Sequence, residues 1–136
     1  MKFDTETLKL FKLFEKITRA KLKTITELKD RVVFIVEQGN LKKALGKNSE
    51  NVKKLEQALN RKIKIVEFNS DPMRFTTNLM FPLKVQEISM EQEGVIVVKG
   101  PDTKTKGLMI GARAQNLRAY EAIVTKYFDI KEIKVI

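Results

Sequence analysis

Apolar residues recur at helical spacing from Thr5 to about Ala20. Leu8, Phe11, Phe14 and Ile17 mark one face, and Leu10 and Leu13 widen it. Asp4 suits the N-cap and Glu6 the first turn, where unpaired N–H groups and the helix dipole favour a carboxylate. The period then changes. LKTITELKD alternates in part, as a short edge strand does, and RVVFIV (Arg31 to Val36) is a β-branched apolar run that predicts a central strand. Gly39 or Asn40 opens a short helix ending near Leu45, and Gly46 breaks it. Asn48 or Ser49 can cap the next helix, which places Val52, Leu55 and Leu59 on one face. KIKIV (Lys62 to Val66) alternates and predicts a strand.

The stretch FNSDPM marks a boundary, because Ser70 or Asp71 followed by Pro72 is a helix start signal. Pro82 stops that helix. LKVQEISM and GVIVVKG read as strands, GPDT as a turn, and a short helix runs to Ile110. After Gly111 a helix is expected from about Gln115 to Tyr127, and DIKEIKVI closes as a strand. The second half thus repeats the first. With a shift of 65 positions Gly46 falls on Gly111, Asn51 on Asn116, Val52 on Leu117, Lys53 on Arg118 and Glu56 on Glu121. The expectation is an α+β fold of two tandem units, 1–69 and 70–136, each ordered α-β-β-α-α-β. Units this small, joined by so short a linker, are expected to pack as one rigid unit.

Charge changes the picture more than composition does. The 43% hydrophobic residues suffice for a packed core, and no apolar run is long enough to span a bilayer. The N-terminal segment lacks the apolar core of a secretory signal, which makes the cytoplasm the expected location. Neither cysteine nor histidine is present. That excludes disulfides and thiolate metal sites, removes the commonest general base, and points away from an enzyme or a metal cofactor. The net charge of +10 is uneven: residues 1–68 carry 17 basic and 9 acidic side chains, a net of +8, while residues 69–136 carry 10 and 8, a net of +2. A polyanion is the natural partner of the first half.

The glycine breaks supply a place for it. A helix N-terminus directly after a tight loop presents unpaired N–H groups and partial positive charge, and the tight loop lets a phosphate come close. Lys47 lies in the first loop, GKNS, and Arg113 in the second, GARA; neither stretch contains an acid. Lys53, Lys54 and Arg118 follow on the second helices and help to steer phosphate. A single glycine of this kind is ordinarily a helix C-cap, and the duplication with a cation in both loops is what favours ligand contact. A nucleotide-binding P-loop does not fit: the glycines of GNLKKALGKN are wrongly spaced, and Asn48 follows the lysine where Ser or Thr is needed. A DNA-reading helix-turn-helix fits poorly with the β-rich surroundings. Phe34, Phe68 and Phe75 lie in apolar patterns and are expected in the core, not as base-stacking platforms.

The stretches LKKALGKNSENVKKLEQALNRKIKIVEF and GLMIGARAQNLRAYEAIVTKYFDIKEIKVI resemble two tandem KH domains of type II topology. Over essentially the whole chain the resemblance is to the archaeal NusA-like family of transcription termination and antitermination factors. It implies a non-enzymatic protein whose paired KH units bind extended single-stranded RNA. It also implies a form without the polymerase-binding N-terminal domain and S1 domain of the bacterial proteins. The implied RNA-contacting positions are Gly46, Lys47, Asn48 and Ser49, then Gly111, Ala112, Arg113 and Ala114, with bases in a groove beside a neighbouring strand. The family loop is G-x-x-G, and Ser49 and Ala114 stand at its fourth position. These two are expected to take helical φ angles and leave the fold intact. RNA polymerase or ribosomal particles are candidate partners. The alternatives are a ribosome-associated or RNA-processing KH protein, and a protein-interaction module whose altered loops no longer hold RNA.

Overall fold

The computed structural model describes residues 4–28 and 31–136, so Lys29 and Asp30 of the predicted LKTITELKD strand lie outside the described residues. The chain divides into two compact units, Met1–Asn69 and Ser70–Ile136.

In the first unit, helix α1 (Thr5–Thr18) starts where the Asp4 carboxylate accepts the Thr7 N–H at 2.8 Å. It ends two residues before Ala20, because Arg19 turns left-handed (φ 59°) and returns its N–H to the Glu15 carbonyl. Strands β1 (Leu22–Leu28), β2 (Arg31–Val36) and β3 (Ile63–Glu67) form one sheet in the order β1-β2-β3. β1 runs antiparallel to β2, and β3 parallel to it. The parallel pair requires a crossover, which helices α2 (Leu41–Leu45) and α3 (Glu50–Leu59) supply. The β-branched run therefore sits in the centre, where both faces are buried: Val32, Phe34 and Val36 face the helices, and Val33 and Ile35 are fully buried on the other side. Phe14 of α1 stacks on Phe34, ring centroids 4.6 Å apart, and Ala44, Leu55 and Ile63 close the core.

The second unit repeats the order with helix α4 (Pro72–Met80), strands β4 (Glu87–Glu91) and β5 (Val95–Lys99), helices α5 (Thr103–Ile110) and α6 (Gln115–Val124), and strand β6 (Glu132–Val135). Its sheet runs β4-β5-β6 with the same antiparallel and parallel pairings. Asp71 caps α4 through the Met73 N–H at 2.9 Å, and Asp102 caps α5 through the Thr105 N–H at 2.7 Å. That N–H holds the Asp102 carboxyl below the usual carboxylate range. Sequence boundaries move, and the strand expected over DIKEIKVI is confined to Glu132–Val135. The strand predicted in LKVQEISM begins only at Glu87, and the helix expected to reach Tyr127 stops at Val124. The chain then turns so that Tyr127 and Phe128 pack on Phe75 of α4, at 6.0 and 6.1 Å between ring centroids.

Both units therefore have the α-β-β-α-α-β order of type II KH domains. One repeated acid ties each crossover helix to its strand. Glu56 of α3 accepts the N–H of Ile63 at 3.1 Å, and Glu121 of α6 accepts that of Ile133 at 2.8 Å.

Lys64 of β3 is half-buried, and its ammonium is lowered to about 8 by burial and by the nearby positive charge of Arg31. A lysine depressed in the folded state binds its proton more weakly there than when unfolded. Its penalty is therefore full below about pH 8 and relieved as pH rises towards the ordinary value of 10.5. The stability gained by Lys64→Met over the wild type should accordingly shrink between those pH values, measured by urea unfolding.

Candidate nucleic-acid interface

The two glycine corners share one backbone. Gly46 (φ 73°) and Gly111 (φ 75°) end α2 and α5, returning their N–H groups to the carbonyls of Lys42 at 3.1 Å and Gly107 at 2.8 Å. A single 3-10 turn follows, Lys47–Ser49 or Ala112–Ala114, closed by Ser49 N–H to Gly46 O at 3.3 Å and Ala114 N–H to Gly111 O at 3.2 Å. Under each glycine lies an asparagine from the next helix. The Asn51 amide donates to the Ala44 carbonyl at 3.0 Å, and the Asn116 amide to the Leu108 carbonyl at 2.8 Å. These carbonyls belong to the last turns of short helices, which leave such groups without helical partners. A β-carbon on Gly46 would lie 2.8 Å from Asn51 Nδ2, and one on Gly111 2.7 Å from Asn116 Cγ and Nδ2. The glycines are thus required twice over, by their positive φ and by the amide beneath them.

The helical φ expected of Ser49 and Ala114 is not found, although the fold is kept as expected. Both are left-handed, with φ of 55° and 59°, and so are their predecessors Asn48 (54°) and Arg113 (55°). The corner turns through two consecutive left-handed residues before α3 or α6 begins. Each such residue costs about 1–2 kcal/mol without glycine, less for asparagine. Nor does the side chain of Asn48 or Ser49 cap α3: Ser49 occupies the N-cap position without a side-chain hydrogen bond. The left-handed backbone is not the extended one in which a cap hydroxyl reaches forward.

The structure brings the predicted residues of each loop together in one turn. Lys47, Asn48 and Ser49 are exposed, as are Ala112 and Arg113, while Ala114 is half-buried. Lys53 is exposed one turn into α3. Among the described residues, Lys42, Lys43, Lys47, Lys53 and Lys54 make no ion pair, so the first unit carries a group of uncommitted cations. Arg118 differs from its counterpart Lys53. It pairs with Glu121, whose hydrogen bond raises the guanidinium further above its ordinary value. Phe34 and Phe75 are fully buried, as expected of core residues, and Phe68 carries the Lys23 ammonium over its ring at 4.3 Å. The asparagines beneath the glycines were not recognisable as loop supports, although the 65-residue register pairs Asn51 with Asn116.

Because clash and φ act together at Gly111, Gly111→Ala should cost at least about 2 kcal/mol. Ala114→Gly should be neutral or stabilising by up to about 1 kcal/mol, since strain relief there competes with backbone entropy. Chemical denaturation of the two variants measures the contrast, and equal effects would contradict the described backbone.

No protein-family model matches the chain. Several curated archaeal relatives do. The probable transcription termination protein NusA of Thermoplasma acidophilum is 29% identical over 97% of this chain and 93% of its own. The protein of the same name from Methanocaldococcus jannaschii is 28% identical over 100% of this chain and 75% of its own. That from Halobacterium salinarum is 26% identical over 99% and 98%. Among solved structures, the crystal structure of APE1850 matches with a TM-score of 0.72 and 26% identity, covering 98% of this chain and 100% of that one. Along nearly its whole length the chain is therefore similar to the archaeal proteins named probable transcription termination protein NusA, the family its two glycine corners resemble.

Proposed function

We propose that this chain binds single-stranded RNA through its two glycine corners and acts, without catalysis, in transcription termination or antitermination. The names of its relatives support the process. The observation that carries RNA binding is the repeated corner: an exposed cation, Lys47 or Arg113, on a one-turn loop at the start of a helix, built the same way twice. Gly46, Lys47, Asn48 and Ser49 contact the sugar–phosphate chain in the first unit, and Gly111, Ala112, Arg113 and Ala114 in the second. Lys53 adds attraction from α3, and Arg118 contributes less because Glu121 already holds it. Sequence is read on unstacked bases lying beside the loop, which a duplex cannot offer there. RNA polymerase is the partner assembly this role requires.

Fluorescence anisotropy with single-stranded RNA, duplex RNA and duplex DNA tests the reading. Single strands should bind preferentially, with affinity falling as salt rises and a log–log slope of about −0.7 per phosphate contacted. Equal affinity for all three would reduce the interaction to unspecific attraction between opposite charges. Lys47→Asp together with Asn48→Asp should weaken binding at least about tenfold at low salt, through charge reversal at the first corner. Co-purification with RNA polymerase, and not with ribosomal particles, is the expected outcome for the process.

A further inference from the structure

The two corners share a backbone and differ in one neighbouring side chain. Position 50, the first residue of α3, is glutamate, and its counterpart in α6, position 115, is glutamine. Glu50 does not point away from the loop. Its Cγ lies 3.3 Å from where a β-carbon on Gly46 would stand, so the side chain begins beside the first corner. Lys53 and Lys54 stand three and four residues further along α3, where they could neutralise Glu50. Among the described residues, however, Glu50 makes no ion pair. Its carboxylate also lies in the first turn of α3, so it takes up the positive end of that helix dipole, whereas α6 has no acid in its first turn.

We infer that Glu50 weakens phosphate contact at the first corner, and that the second corner, with Gln115 at the matching position, holds its backbone phosphate more closely. This inverts the expectation from net charge, and it rests on the RNA-binding reading. The first unit, with Lys42, Lys43, Lys47, Lys53 and Lys54 exposed and unpaired among the described residues, attracts the strand at longer range. The tighter of the two contacts falls to the unit of lower net charge.

Two opposite substitutions in the full chain test it. Glu50→Gln should tighten binding of a single-stranded RNA roughly threefold to tenfold at about 50 mM salt, and the gain should fade as salt rises. Gln115→Glu should weaken binding by a similar or larger factor. Glu15→Gln makes the same change of net charge on exposed α1 and should shift affinity less than about twofold. Glu50→Ser gives a second, shorter neutral side chain, and thermal melting confirms that each variant folds. A gain from Glu50→Gln no larger than that from Glu15→Gln, or an unchanged affinity in Gln115→Glu, overturns the inference while single-strand preference in the wild type leaves the RNA-binding reading standing. A wild type with no preference for single strands ends both.

Discussion

An asparagine amide lodged under a glycine governs the geometry of both corners. Helix α2 spans five residues and α5 eight, too few to be stable by themselves, so their C-terminal carbonyls need partners from outside the helix. Asn51 and Asn116 supply a donor from the second residue of the following helix and so hold successive helices at a fixed angle. That amide fills the space where a side chain at Gly46 or Gly111 would sit. Once the lock is closed, the chain between the glycine and the helix has three residues in which to reverse. It does so by turning two of them left-handed, which leaves Asn48, Ser49 and Arg113 exposed and Ala114 half-buried. The exposure of Arg113 is therefore a consequence of how the helices are fastened.

The strain at Ser49 and Ala114 belongs to the same constraint. A left-handed alanine is unfavourable in isolation and persists only where its surroundings over-determine the backbone. Here the surroundings are the asparagine lock before it and, after it, a crossover helix anchored at its far end. Glu56 accepts the N–H of Ile63 at the start of β3 and Glu121 that of Ile133 in β6, so each crossover helix is tied at both ends. The second unit tolerates a longer path from α6 to β6 because Tyr127 and Phe128 find a packing partner in Phe75.

Much of this was legible in the sequence. RVVFIV lies in the central strand because a β-branched apolar run without alternation suits only a site buried on both faces. Asp4 and Asp71 mark helix starts through their side-chain chemistry. The repeat, read from Gly46 and Gly111, gave the element order of both units. Legibility failed where a residue's role depends on a neighbour distant in the chain. Nothing about an alanine announces a left-handed φ. An asparagine two residues into a helix resembles any polar residue there until the carbonyl it reaches, seven or eight residues back, is known. Arg118 reads as a free cation beside the loop, and its pairing with a glutamate that also holds β6 shows only in the structure.

The comparison of the repeats separates what the backbone needs from what the ligand needs. Glycine, asparagine and the strand-anchoring glutamate recur at both corners, and each is accounted for by a hydrogen bond or a steric limit inside its own unit. The exposed residues around them differ: Lys47 against Ala112, Asn48 against Arg113, Glu50 against Gln115, and Lys53 against Arg118. None of these is needed to close the turn. A loop whose shape is held from beneath leaves the charge on its surface free to vary without loss of fold. The two corners can then carry unequal electrostatics on one geometry, and net charge summed over a unit is a poor guide to which corner a phosphate meets at close range.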